Sequence, residues 1–162
     1  MKIFVNNSFV VLAVAAITLT PVKAENQIKD DFIWAICLTE SGGREGLILG
    51  DKSSKTGVYR ALGPLQIHRS CWTDAIRHDP KIGGSYNFCT NFSYSKKIFI
   101  SYQNLYKKKT NLEEEKMAKI WNGGVNFQKT SKSPAKTANL EKYWKKVQKN
   151  LAKIRANQKP KF

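Results

Sequence analysis

The sequence predicts an α+β fold that is mainly helical, with a small β-hairpin or loop after the first helix. Apolar residues recur at helical spacing in several separate segments of the chain. After the first of these segments, a short apolar run meets a polar cluster of Asp, Lys, Ser and Gly, which is typical of a hairpin turn. The 162-residue chain shows no internal repeat and suits a single domain with its own core.

The first helix is predicted over residues 27–39, where four apolar positions share one face, and it places Glu40 near its C-terminal end. Residues 41–43, Ser-Gly-Gly, then end the helix. Residues 47–62 follow as the small hairpin or irregular β-loop. The four positions of the shared face are Ile28, Phe32, Ala35 and Ile36.

Helical spacing returns beyond the hairpin, and a loop is predicted over residues 78–91. Asn111 is predicted to cap a helix that runs through Trp121, with Glu114 at its third position, and residues 122–124 end that helix. The other predicted helical faces are Ile67, Cys71, Trp72, Ala75 and Ile76; Ile98, Phe99, Tyr102, Leu105 and Tyr106; and Leu140, Tyr143, Trp144, Val147, Leu151 and Ile154.

The N-terminal residues 1–24 are predicted to be a secretory signal peptide. Lys2 supplies positive charge, and the apolar run over residues 9–19 is too short to span a membrane. Residues 22–24, Val-Lys-Ala, offer a cleavage site that would leave residues 25–156 as the folded domain. Residues 157–162 are expected to form a basic disordered tail. The protein is therefore expected to be secreted, either extracellular or periplasmic.

The chain is strongly basic, with 28 Lys and Arg residues against 12 Asp and Glu residues and a net charge of +16. Removal of Lys2 and Lys23 with the signal would lower the charge to +14. A charge of this sign favours nucleic acid, an anionic membrane or a bacterial wall that carries teichoic acids and peptide carboxylates. A secreted location argues for the wall and against nucleic acid. The expected partners are therefore the anionic bacterial envelope and its peptidoglycan strands, bound by a monomer.

The chain has three cysteines, of which one pair could form a disulfide in an oxidising compartment and leave one thiol free. The pair Cys71–Cys89 is favoured because its short loop would tie down an irregular segment, whereas Cys37 lies in an apolar helical run. Spacing alone does not fix this connectivity. No cysteine or histidine spacing matches a zinc site, so neither a metal nor a cofactor is expected.

Two acids are predicted to lie in contrasting environments. Glu40 follows the apolar run 34–38, and desolvation there would raise the pKa of its carboxyl, as a general acid requires. Asp51 follows in a polar turn whose hydrogen bonds would keep a carboxylate ionised. The alternatives are a solvated helix end for Glu40 and, for Asp51, a turn that its side chain stabilises locally. Glu45 is expected to face solvent.

Several segments resemble the invertebrate-type lysozyme (destabilase) family, within the wider group of lysozyme-like folds that includes lytic transglycosylases. Residues 37–42, CLTESG, resemble the family's catalytic segment, and Asp51 follows Glu40 at about the family's spacing for its second carboxylate. The further matching segments are GPLQI at 63–67, IWNGG at 120–124 and YWKKV at 143–147. The resemblance covers about residues 30–150 and implies a lysozyme-like fold.

The chain also departs from the family pattern. It has few cysteines, and a longer loop separates Asp51 from the GPLQI segment. Leu65, Trp121 and Val125 occupy positions where the family commonly has an aromatic residue, a histidine and a proline. These differences indicate a divergent, cysteine-poor member.

The same segments indicate residues that would bind a glycan, which needs polar hydrogen-bonding groups and aromatic faces. The amides of Gln66 and Asn122 would supply hydrogen bonds, and the rings of Trp121 and Tyr59 would supply aromatic surface. For Trp121, packing in the core is an equally good interpretation. The candidate substrate-binding residues are Ser54, Tyr59, Gln66, Trp121, Asn122 and Gly123.

The resemblance implies hydrolysis of the β-1,4 bond between N-acetylmuramic acid and N-acetylglucosamine in peptidoglycan. Glu40 would protonate the leaving oxygen, and Asp51 would stabilise or attack the oxocarbenium-like state. Retention would need a separation of about 5–5.5 Å between the two carboxyls, and inversion about 6.5–9.5 Å. A lytic transglycosylase would use Glu40 alone. A cationic wall-binding protein without catalysis is the alternative from another class, because charge alone can give adhesion.

Overall fold

A computed structural model of the protein describes residues 27–127 and 133–156, apart from the side chain of Asp51. Within these residues, six α-helices accompany a three-stranded antiparallel sheet, and the sheet follows the first helix. The predicted mainly helical α+β fold is therefore confirmed. The predicted signal peptide at residues 1–24 and the basic tail at residues 157–162 lie outside the described residues.

Along the chain, the hairpin lies between the first two helices. The helices are α1 (Asp30–Ser41), α2 (Arg69–His78), α3 (Phe92–Leu105), α4 (Lys107–Thr110), α5 (Glu114–Gly123) and α6 (Pro134–Arg155). The strands are β1 (Leu49–Lys52), β2 (Tyr59–Leu62) and β3 (Ile67–His68). The predicted loop at 78–91 contains two short 3-10 helices, Pro80–Ile82 and Tyr86–Thr90. None of the described helices is long and apolar enough to cross a bilayer.

Helix α1 lies in the centre of the core. Phe32 is fully buried and packs against Phe99 of α3, with ring centroids 6.1 Å apart. Helix α6 packs along α1, and Asn150 Nδ2 donates a hydrogen bond to Thr39 Oγ1 over 3.0 Å. Arg155 at the end of α6 donates to the carboxylate of Asp31 over 2.8 Å. The C-terminal turn of α1 is therefore held against a second helix rather than exposed on all sides.

The sheet pairs its strands in the order β1-β2-β3, with Gly50 opposite Ala61 and Leu62 opposite Ile67. Ile67 was expected on the helical face of α2, but it lies in β3 and its side chain is fully buried. The connection between β2 and β3 is only four residues long, so it turns tightly, and the Gly63 N–H donates to the Ile48 carbonyl over 2.8 Å.

The prediction that Asn111 caps a helix is wrong. Asn111 follows the short helix α4 in the left-handed conformation, with φ 50°, and α5 begins only at Glu114, with Glu113 as its capping residue. The Thr110 hydroxyl accepts a hydrogen bond from the Leu112 N–H over 3.1 Å and stabilises this turn. Asparagine tolerates the left-handed region better than most residues. It therefore ends one helix here instead of starting the next.

The predicted Cys71–Cys89 disulfide is not formed, because all three cysteines are free thiols. Burial raises the pKa of Cys37 to about 11 and that of Cys89 to about 12. The pKa of Cys71 is likewise well above its ordinary value, mainly because of burial and additionally because of Cys89 nearby. Disulfide formation requires a thiolate. In the folded protein, burial therefore keeps these three side chains as protonated thiols.

Candidate functional site

Glu40 lies half-buried in the last turn of α1. The helix ends at Ser41 and is capped by Gly42, which adopts φ 68°, and Arg44 Nε donates to the Ser41 carbonyl over 2.9 Å. The last turn of α1 contains no basic residue. The Glu40 side chain therefore lies where α1 gives way to the segment that leads into the hairpin.

The carboxyl of Glu40 is held by Tyr143 from α6. The Tyr143 hydroxyl donates a hydrogen bond to Glu40 Oε1 over 2.6 Å, and only 8% of the tyrosine is exposed. Burial holds the pKa of Tyr143 well above its ordinary value, and the charge and hydrogen bond of Glu40 raise it further. The phenol is therefore a constant donor at neutral pH, and it fixes the orientation of the carboxyl.

Sequence reasoning placed Tyr143 only on the apolar face of the last helix. Its ring does pack in the core, with Val147 one turn further along the same face. A buried tyrosine needs a partner for its hydroxyl, so the sequence carried a signal that a polar group lies opposite. The partner is 103 residues away along the chain, and no local pattern identifies it.

A cavity of about 280 Å³ lies where the start of α2 faces the end of α5. Four of the predicted substrate-binding residues line it, namely Gln66, Trp121, Asn122 and Gly123. Gly124 of the IWNGG segment also lines it, and the structure adds lining residues that were not predicted to bind substrate: His68, Ser70, Cys71 and Tyr102. The two segments GPLQI and IWNGG are thus brought together from a distance of more than 50 residues.

Trp121 combines both of the interpretations that the sequence allowed. Its ring packs against Phe99 and Tyr102, with centroid distances of 4.6 Å and 5.8 Å, and its Nε1–H donates to the Leu65 carbonyl over 3.2 Å. The residue is only half-buried and borders the cavity. It therefore presents a rigid aromatic surface whose position is fixed by the core.

Gln66 has a structural function that the prediction did not include. Its backbone is left-handed, with φ 50°, and its Nε2 donates to the carbonyls of Gly63 over 2.8 Å and Ile48 over 3.3 Å. Its Oε1 lies against Gly50, where an added Cβ would be 1.6 Å away. The amide nitrogen therefore ties the hairpin to the β2–β3 turn instead of pointing a free donor at a ligand.

The remaining predicted residues lie elsewhere. Ser54 is exposed at the tip of the hairpin. Tyr59 is also exposed and borders a separate cavity of about 210 Å³ that Gln66 and Trp121 do not line. Asp51 lies in β1, but its side chain is outside the described part of the chain, so its catalytic role stays a prediction. Glu45 is exposed, as predicted, and accepts a hydrogen bond from the Phe92 N–H at the start of α3 over 2.8 Å.

The Glu40–Tyr143 pair and the cavity are joined through α6. Gly123, which lines the cavity, packs so closely against Leu140 that an added Cβ would lie 2.7 Å from its Cδ2. Leu140 and Tyr143 are both buried and share one face of α6, and a spacing of three residues corresponds to about 4.5 Å along the helix. Of the predicted binding residues, Gly123 therefore meets the same stretch of α6 as Glu40, although Glu40 itself does not line the cavity.

Among the described residues, no group of three or more His, Cys, Asp or Glu side chains could hold a metal ion. No protein-family model matches the chain, and neither a curated protein nor a solved structure matches it.

Proposed function

We propose that the protein is a secreted glycoside hydrolase of lysozyme type that cleaves the β-1,4 N-acetylmuramoyl bond of peptidoglycan, with Glu40 as its general acid. The hydrogen bond from Tyr143 to the Glu40 carboxyl is the observation that supports this proposal most. A glutamate that only ended a helix in solvent would need no buried phenol to orient it. A catalytic acid does need a fixed orientation, because proton transfer depends on geometry before pKa.

In this proposal Glu40 protonates the oxygen of the leaving sugar and then, as a carboxylate, activates the water that completes hydrolysis. Tyr143 is assigned as a positioning residue, since it is buried and its hydroxyl holds the carboxyl of Glu40. Asp51 would stabilise or attack the oxocarbenium-like state from the hairpin that follows α1. Loss of activity on replacement of Asp51 by Asn would assign it that role.

The cavity beside Trp121 supports the choice of a saccharide substrate. Its volume of about 280 Å³ is close to the lower end of the range for small-molecule sites, which suits one sugar unit of a longer strand. The indole offers a face for the apolar C–H surface of a pyranose, and the Asn122 amide and Ser70 hydroxyl offer hydrogen bonds for an N-acetyl group. The basic charge would hold the enzyme at an anionic wall.

Mass spectrometry of the fragments released from purified peptidoglycan tests the proposal. Hydrolysis by a lysozyme produces reducing N-acetylmuramic acid ends. Anhydro-muramic ends would instead identify a lytic transglycosylase that uses Glu40 alone. The absence of fragments, with the protein still bound to the wall, would contradict any catalytic function and favour a cationic wall-binding protein.

Replacement of Tyr143 by Phe is expected to lower kcat about tenfold, with a smaller change in KM. The variant keeps the buried ring but removes the hydroxyl that orients Glu40, and a hydrogen bond to a charged group contributes about 1.5–3 kcal/mol. The measurement is the initial rate of soluble peptidoglycan cleavage over a range of pH.

The matched control is Tyr94→Phe. Tyr94 also donates a short hydrogen bond, of 2.7 Å, but to the carbonyl of Gly83, and its hydroxyl accepts one from Trp72 Nε1 over 3.0 Å. This variant should lose at least as much stability as Tyr143→Phe while keeping the rate of the parent. Equal losses of activity in both variants would show that Tyr143 supports the fold only.

A further inference from the structure

A larger cavity, of about 460 Å³, lies at the opposite end of α2 from the cavity beside Trp121. It is lined by His78 at the end of α2, by the following 3-10 helix, and by one face of α3. Helix α2 has 10 residues, so its two ends are about 15 Å apart. Glu40 and the residues that line the first cavity do not line this one. The two cavities are therefore separate sites.

The polar residues of this cavity carry an excess of positive charge. Lys81 comes from the 3-10 helix and Lys97 from α3, and neither ammonium group is engaged in an ion pair among the described residues. The imidazole of His78 and the side-chain amide of Asn104 add N–H donors. Two lysines against one acid, Asp79, leave the lining with a net positive charge, which attracts anions and raises their local concentration.

The one acid of this lining, Asp79, is hydrogen-bonded to a backbone N–H. Its Oδ1 accepts a hydrogen bond from the Lys81 N–H over 3.2 Å and caps the 3-10 helix. The Ser101 hydroxyl is likewise directed away, since it donates to the Ala75 carbonyl over 2.7 Å. The polar groups that remain to meet a ligand are therefore the two lysines, the histidine and the asparagine.

The remaining wall of the cavity is apolar. Ile82 and Ile100 are half-buried and pack against the core, so their exposed surfaces form a fixed hydrocarbon wall beside the lysines. A free inorganic ion would contact only the cationic part of such a site. A ligand that joins an anionic group to a carbon skeleton would contact both parts.

We propose that this cavity binds an organic phosphate. The phosphoryl group lies at Lys81 and Lys97, and the carbon skeleton lies against Ile82 and Ile100. Lysine acts as a compact point charge toward phosphate, and two of them match a doubly charged phosphoryl group. The proposal does not depend on glycosidase activity, because none of its residues belongs to the Glu40 site.

Isothermal titration calorimetry of the full chain with phenyl phosphate tests this proposal, with inorganic phosphate and the neutral benzyl alcohol as comparison ligands. Phenyl phosphate is expected to bind one site and more tightly than inorganic phosphate, and benzyl alcohol should not bind measurably. The double variant Lys81→Met, Lys97→Met should weaken phenyl phosphate binding at least tenfold at constant ionic strength. Glu40→Gln should leave binding unchanged, which separates this site from the proposed catalytic one.

The matched control removes two exposed lysines outside the cavity, by Lys108→Met together with Lys145→Met. It lowers the net charge equally and should leave the affinity within about twofold of the parent. An equal loss in both double variants would overturn the proposal in favour of diffuse attraction to a basic surface. Equal affinity for phenyl phosphate and inorganic phosphate would overturn the assignment of an organic ligand. Circular dichroism checks that each variant remains folded.

Discussion

Replacement of Glu40 by Gln is expected to reduce peptidoglycan cleavage at least about 100-fold, because general acid catalysis typically contributes 10² to 10⁴. The amide has nearly the same shape as the carboxyl, and its oxygen can still accept the hydrogen bond from Tyr143. It cannot release a proton to the leaving oxygen. The measurement is the rate of release of soluble fragments from purified peptidoglycan.

The control for this variant is Glu45→Gln, which changes a nearby acid that is exposed and that accepts a hydrogen bond from the Phe92 N–H. Glutamine can accept the same bond, so the variant should keep both fold and activity. Full cleavage by the Glu40→Gln protein would refute the assignment of the general acid. If the Glu40→Gln protein still lyses whole bacteria but no longer releases fragments, a second, charge-driven action of the basic surface would be indicated.

Gly63→Ala is expected to lower the free energy of unfolding by about 3 kcal/mol or more. The residue has φ 77°, and a left-handed conformation costs a residue with a Cβ about 1–2 kcal/mol. In addition, the new Cβ would lie 1.7 Å from the backbone oxygen of Cys89, so one of the two segments must move. Overpacking of this kind adds about 1–3 kcal/mol. Urea denaturation of the parent and the variant measures the difference.

Gly42→Ala is the control for the clash between the new Cβ at position 63 and the backbone oxygen of Cys89. Gly42 also has a positive φ, of 68°, but an added Cβ there would meet nothing within 4 Å. Its free energy of unfolding should therefore fall only by the cost of the left-handed conformation, about 1–2 kcal/mol. An equal fall in the free energy of unfolding for both variants would contradict this expectation, because it would show that the β2–β3 turn accommodates the new methyl group without an energetic cost.

The helices and the hairpin could be predicted because their signals are local. The spacing of Phe32 and Ile36 predicted α1, and the glycines after Ser41 predicted its end, which is Ser41. The polar cluster between two apolar runs predicted the hairpin that became β1 and β2. The predicted and observed boundaries differ where two patterns overlap. Ile67, for example, has helical spacing with the residues of α2 but pairs with Leu62 in the sheet.

The composition of the site could be predicted only in part, because it depends on contacts between distant segments. The motifs around Gln66 and Trp121 suggested binding residues, and the structure does gather them around one cavity. Nothing in the sequence indicated that the amide nitrogen of Gln66 would donate hydrogen bonds to two backbone carbonyls. The pairing of Tyr143 with Glu40 likewise follows from the packing of α6 on α1, which no local pattern specifies.

Because its three cysteines are free thiols, the domain does not need an oxidising compartment in order to fold. No covalent bridge joins its segments, so packing and hydrogen bonding alone must hold the native state together. Neither an oxidant nor an isomerase is then needed to reach it. A chain that lacks residues 1–24 and is synthesised in a reducing cytosol should attain the same native state as one folded under oxidising conditions, and dithiothreitol should leave it folded.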